Sequence, residues 1–218
     1  MSVLRSTHET TFIPLPGGWP SILHWPTDNQ RLFSDPDRFF ARTRANPLYG
    51  RPGFTRDGGK RFHRGCDIAP VTVEPDGKLH TVIFTDIETG VEYPSDEPGW
   101  IPRDRIYAVA DGFVVEQNEN AETSTLGHYL IIQHSLNGVV FFSLYAHLNT
   151  MTVTLGASVR AGDVLGTMGQ TSSSADARTW MAIAPHLHLE FWNEQGRSFD
   201  PEVVLRTLLR REFWSALS

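Results

Sequence analysis

Two short strings in this sequence carry side chains of the types and spacings that hold a metal ion. In His63-Arg64-Gly65-Cys66-Asp67 an imidazole and a carboxylate lie four residues apart; in His186-Leu187-His188 two imidazoles lie two apart. Nitrogen and carboxylate oxygen are donors that zinc accepts, and a catalytic zinc keeps three protein ligands and an open fourth position for water. The chemistry such a set points to is metal-assisted hydrolysis, with spare histidines to move protons.

The spacings state what must present these groups. On an extended strand, positions 63, 65 and 67 share a face. His63 and Asp67 would then point the same way across Gly65, with Arg64 and Cys66 on the other side. Gly65 and the nearby Pro70 argue against a helix there. His186 and His188 likewise share one strand face. Two adjacent imidazoles are costly to bury without a metal or a hydrogen-bond acceptor. Taken singly, each string is also compatible with ordinary polar or core histidines. A third string, Tyr145-Ala146-His147-Leu148, closes an apolar strand and is weak on its own.

Order and company make the pattern specific. The sequence runs His63-x-x-x-Asp67-Ile68, Ala110-Asp111-Gly112-x-Val114 and Tyr145-x-His147-Leu148. It continues through Val159-x-x-Gly162-Asp163-x-Leu165-Gly166-x-x-Gly169 to Pro185-His186-Leu187-His188-Leu189-Glu190. In this it resembles the lysostaphin-like (LytM-type) zinc metallopeptidases, the endopeptidases of peptidoglycan, over roughly residues 50–192. The resemblance implies one zinc per chain, held by His63, Asp67 and His188, with His147 and His186 off the metal in catalysis. It implies peptidoglycan stem or cross-bridge peptides as substrate, and the cell envelope or extracellular space as the place of action. His147 is the choice for general base, His186 for stabilising the oxyanion or protonating the leaving amine, and the spacing leaves the two roles interchangeable. The sequence departs from the family pattern in a longer stretch before the histidine pair, which contains Trp180 and Met181. Asn46 and Tyr49 are upstream candidates for an auxiliary oxyanion residue, though neither has a compelling spacing.

A second reading is a non-catalytic regulator or binding module of the same fold; retention of all five residues favours catalysis. A biotinyl- or lipoyl-carrier hairpin over residues 156–166 fails, because the only lysines, Lys60 and Lys78, are not at such a turn. A cupin-type metal site would need a later histidine, and none follows His188. The other histidines have ordinary readings: His8 and His24 near the start, His80 in an insertion, His128 and His134 flanking a strand. By the resemblance His134 stands where relatives often have a structural histidine, with a supporting role at the site as its second reading. Cys66 reads as a small buried thiol rather than a ligand.

A formal net charge of -6 argues against a nucleic-acid partner, which calls for a basic face. No run is long and apolar enough for a transmembrane helix. Residues 1–20 show neither a basic n-region nor an apolar h-region. By that reading the chain is either cytoplasmic or lacks its leader. The single cysteine excludes an internal disulfide.

With 18 glycines and 14 prolines, the composition suits turns and short strands. Residues 1–45 read as an irregular arm with a short helix that starts at Ser34-Asp35-Pro36 and stops before Asn46-Pro47. Residues 46–198 form the zinc peptidase domain, with insertions over about 71–105 and 171–185; residues 199–218 form a helix packed on it. Strands are expected at Ala108–Val115, Tyr129–His134, Val139–Leu148 and His186–Trp192, the middle two joined through Asn137-Gly138. Asp200-Pro201-Glu202 starts the last helix, with Val204, Leu205, Leu208 and Leu209 on one face. The expected fold is mainly β: an antiparallel sandwich or barrel-sandwich hybrid with a groove, a short N-terminal helix and a C-terminal helix.

Overall fold

Runs of β-branched and aromatic residues between turn-forming residues favour strands over helices, and strands dominate. A computed structural model describes residues 10–19, 24–42, 46–73, 79–81, 104–173 and 185–207 of the 218. The first strands are β1 (Gly53–Arg56), β2 (Arg61–His63), β3 (Cys66–Ile68), β4 (Val71–Val73), β5 (Leu79–Thr81) and β6 (Arg105–Tyr107). Next come the long strands β7 (Gly112–Asn118), β8 (Tyr129–Leu136) and β9 (Val139–Ala146), followed by β10 (Leu148–Met151) and β11 (Ser158–Val159). β12 (Val164–Met168), β13 (Leu187–Asn193) and β14 (Ser198–Phe199) complete the set.

The main sheet has the order β11-β7-β8-β9-β13-β14, and β3 joins it by pairing with β13. A second sheet runs β10-β12-β6, and β1-β2 and β4-β5 are separate hairpins. Each of these ladders is antiparallel. The β8-β9 hairpin turns as the sequence predicts: Leu136 pairs with Val139, and Asn137 (φ 52°) and Gly138 (φ 78°) are both left-handed. Val114, Leu130, Ile132, Phe141, Tyr145, Leu187, Leu189 and Phe191 of the main sheet share one buried core with Ile106, Leu148, Leu165 and Met168 of the second. Ile131, Leu144, Ala146 and Trp192 form a smaller cluster, as the alternation of the strands requires.

The structure revises three expectations. The stretch from His63 to Asp67 is not one strand: it breaks at Arg64-Gly65 into β2, which pairs with β1, and β3, which pairs with β13. The strand expected at Ala108–Val115 begins only at Gly112, because loops claim the backbone groups before it. Ala108 N donates to Asp163 O, and Ala108 O accepts from Gly162 N. The early helix covers only Pro36–Phe39; Phe40 turns extended and bridges Ile68, while Ala41 N donates to Asp67 O. Backbone demand from β3 thus ends the helix well before Asn46.

Before Pro36 the described residues form no helix or named strand, yet Trp25 and Leu32 are in the main core and Trp19 packs its ring against Phe141 and Phe199. Residues 201–207 are helical; Asp200 Oδ1 accepts from Glu202 N and Val203 N, and Val204 and Leu205 are buried. Leu208 and Leu209 lie outside the described residues, as do most of both insertions, with Trp180 and Met181. No helix among the described residues is long and apolar enough to cross a membrane.

Candidate metal centre and active site

The register of three neighbouring strands brings the site together. His188 on β13 pairs with Asp67 of β3 on one side and Ala146 of β9 on the other. One level of the sheet therefore holds two of the expected ligands and the end of the strand that delivers His147. His63 arrives from the end of β2, and the chain then passes tightly over the His188 ring. A Cβ on Gly65 would lie 2.5 Å from His188 Cε1 and 2.8 Å from the Leu189 carbonyl oxygen, so the position takes only glycine. Gly65 does face the site, but at a strand break rather than within a strand.

His63 Nε2 and Asp67 Oδ1 are 3.2 Å apart, His63 Nε2 and His188 Nδ1 3.3 Å, and His188 Nδ1 and Asp67 Oδ1 2.9 Å. With zinc–ligand bonds of about 2.0–2.2 Å, a tetrahedral site has ligand–ligand edges of roughly 3.3–3.6 Å, close to this triangle. The tautomers suit it as well. His63 Nδ1 lies 2.9 Å from the Arg51 carbonyl oxygen, an acceptor only, so Nδ1 carries the proton and Nε2 offers its lone pair. His188 Nε2 donates to Glu190 Oε1 at 2.8 Å, leaving Nδ1 for the cluster. The donor set fits zinc in type, number and separation.

Burial and charge favour these forms at His63 and Asp67. At His188 burial is outweighed by the bonds to Asp67 and Glu190, which raise its pKa, so that its ring gives up a proton on taking an ion. The three residues are 1–8% exposed. Burial lowers the His63 pKa and so favours the neutral, ligating ring. Burial works against a charge on Asp67, but Arg56, His63 and His186 outweigh it and hold the carboxyl well below the usual carboxylate range.

His147 sits between β9 and β10 with φ at 63°, a left-handed conformation uncommon for histidine that turns it out of the sheet. Its Nδ1 donates to the Thr171 carbonyl oxygen at 2.8 Å, which leaves Nε2 free of the proton. Burial, with His186 and His188 nearby, pushes its pKa down to about 3, so the ring is neutral. Thr171 is itself tied down: its hydroxyl donates to Leu148 O and accepts from His128 N. His186 is fixed by a bridge to Gly169; its ring lies 4.6 Å from that of His147, and its Nε2 lies 3.7 Å from Asp67 Oδ1. All five residues line one open pocket of about 260 Å³.

Sequence reasoning gave no role to two residues that stand here. Glu190 is in the motif, but its carboxylate on His188 shows only in the structure. Arg56, 6% exposed, donates from Nη2 to Asp67 Oδ2 and lies 3.1 Å from His63 Nε2. No spacing linked Arg56 to the motifs. Of the auxiliary candidates, Tyr49 lines the pocket and carries the Arg56 guanidinium 3.6 Å from its ring centre. Asn46 instead shapes a turn, bonding Thr55 O and Leu48 N.

The remaining candidates stay apart from this cluster. His134 is buried, donates from Nδ1 to Asp111 O and meets Ser143 Oγ through Nε2 at 2.7 Å. His24 Nδ1 donates to Trp25 O, and Cys66 is a buried free thiol whose pKa burial pushes up. His8 and the His80 side chain lie outside the described residues.

Fold and site together define a mainly antiparallel β protein with a buried His-Asp-His cluster that could hold a metal ion. Residues 97–201, just under half of the chain, match the model described as Peptidase family M23, in keeping with the resemblance of the motifs to the lysostaphin-like, LytM-type peptidases. The segment contains His147, His186 and His188; His63 and Asp67 lie ahead of it and join through β3. A curated relative from Buchnera aphidicola subsp. Baizongia pistaciae, described as an uncharacterized metalloprotease, is 29% identical over 87 residues, 40% of this chain. The match spans only 19% of that relative's length. Among solved structures, the lysostaphin catalytic domain from Staphylococcus simulans superposes with a TM-score of 0.42 and 20% identity over 72% of this chain and 87% of that one. The longer lysostaphin, an antimicrobial peptidase, gives 0.49 and 16% identity over 87% of this chain and 55% of that one.

Proposed function

We propose that this protein is a zinc-dependent metalloendopeptidase that hydrolyses stem or cross-bridge peptides of peptidoglycan, acting in the cell envelope or outside the cell. The observation that carries this reading is the convergence of His63, Asp67 and His188 donor atoms beside two further buried histidines in one open pocket. These three residues would hold the ion, which when bound supplies a water acidified towards neutral pH and polarises the scissile carbonyl.

The chain's own groups do the rest. His147 presents an unprotonated Nε2 because Thr171 holds the proton on Nδ1, so it takes up a proton from the attacking water. His186, facing His147, stabilises the developing oxyanion or passes a proton to the departing amine; the two roles are exchangeable between the pair. The pocket is open, as a bond inside a polymer requires.

The test is metal content and wall digestion on one preparation. Purified protein is expected to carry one zinc per chain and to remove cross-linked dimers from sacculi, with chelator abolishing the loss. Product masses then identify the bond. Bound zinc with no cleavage of any wall type would replace the enzyme by a metal-binding regulator of wall hydrolysis; no bound zinc would defeat both.

A further inference from the structure

The two oxygens of Asp67 face different partners. Oδ1 meets His63 Nε2 at 3.2 Å and His188 Nδ1 at 2.9 Å, on the side of the donor cluster. Oδ2 accepts from Arg56 Nη2. Arg56 is buried, and its only ion pair among the described residues is this one. Its Nε finds no hydrogen-bond partner, while the guanidinium carbon sits over Tyr49, 3.6 Å from the ring centre. An arginine buried with one donor unsatisfied is a poor choice for stability alone. Its place is explained by what it does to the carboxylate.

We propose that Arg56 is a positioning residue that occupies Asp67 Oδ2 and leaves Oδ1 alone to serve the metal. This rests on the reading that the cluster holds zinc. A carboxylate free at both oxygens can bind an ion through both and fill the position needed for water. A guanidinium on Oδ2 prevents that and draws electron density from Oδ1, so the ion keeps more of its positive charge. The same Nη2 donates to His63 Nε2 at 3.1 Å, a bond that must give way for that lone pair to take an ion, and its charge repels the ion, so both effects weaken binding. Arg56 therefore trades metal affinity for reactivity, whereas a residue that merely braced the site would support both.

The test replaces zinc by cobalt(II) in the full chain and compares wild type with Arg56→Gln, Arg56→Lys and Tyr49→Leu. Arg56→Gln is expected to hold cobalt and zinc at least as tightly as wild type. Its visible cobalt absorption should lose intensity and move to shorter wavelength, as when coordination number rises. Turnover on wall peptides should fall about 10- to 100-fold, mainly in kcat. Arg56→Lys should recover part of the spectrum. Tyr49→Leu, which removes the platform and leaves every ligand, should change it in the same direction and carries the test if Arg56→Gln does not fold. Spectra superimposable on wild type in Arg56→Gln and Tyr49→Leu, or weaker metal binding with an unchanged spectrum, would overturn the proposal. A wild type that binds no cobalt defeats it together with the metal reading. Cobalt bound without peptide cleavage removes only the peptidase reading.

Discussion

At the scale of single residues, the site histidines divide by the partners of their ring nitrogens. His188 places Nδ1 in the cluster, whereas His147 anchors Nδ1 on Thr171 outside it. His188→Ala should therefore lower zinc content and activity together. His147→Ala should keep stoichiometric zinc and lose turnover, measured as metal per chain beside muropeptide release. Full activity in His147→Ala would remove it as the proton acceptor. These groups stood out in the sequence because imidazole and carboxylate are donors that zinc accepts and because His186 and His188 share one strand face. The His63–Asp67 spacing stood out too, although a strand break rather than one strand produces it. Arg56 was not legible. It reaches Asp67 from β1 across a hairpin whose ladder shifts register between Phe54 and Arg56, and an arginine in a strand usually faces solvent. The left-handed turn at His147 was equally hidden, since nothing in Tyr145-Ala146-His147-Leu148 announces a positive φ.

At the scale of elements, the buried groups that carry the sheets set the pH response. His134 on β8 is held neutral by burial, its pKa pushed down to about 4 from 6.5. Between those values the unfolded chain takes up a proton that the folded one refuses, so this group's share of stability falls as pH drops. Asp104, leading into β6, works in reverse. Burial raises its pKa to about 7 from 3.8, so its favourable share is full below pH 3.8 and is lost as pH rises through 7. Its Oδ2 accepts from Val71 N, a bond that the asparagine oxygen can keep. Asp104→Asn should thus be more stable than wild type at pH 8, by an order of 2–4 kcal/mol. The advantage should shrink towards pH 4, and urea midpoints at both pH values check it. An equal gap at the two would contradict the buried, ionised carboxylate. Strands announced by β-branched runs appeared near their expected places, and the Asn137-Gly138 hairpin fell in register. Boundaries failed where distant segments claimed the backbone: Gly162 and Asp163 delay the start of β7, and β3 cuts short the first helix. Such claims depend on contacts far along the chain, which local patterns do not encode.

At the scale of the whole molecule, the His63-Asp67-His188 cluster joins β2 and β3 to β13. An ion bound by the folded chain and not by the unfolded one adds about 3–4 kcal/mol when present at 100 to 1,000 times its Kd. Chelation should therefore lower the thermal midpoint, and restored zinc should return it; a midpoint indifferent to both would detach the cluster from metal binding. His63 and His188 are 125 positions apart, and the strand that carries His188 lies between β9 and β3. During synthesis, a chain that has emerged only through β12 has the first histidine and the aspartate but not the third donor. The three-donor cluster is consequently among the last features to form, and on the proposed reading a growing or broken chain that lacks β13 has no complete site with which to cut anything.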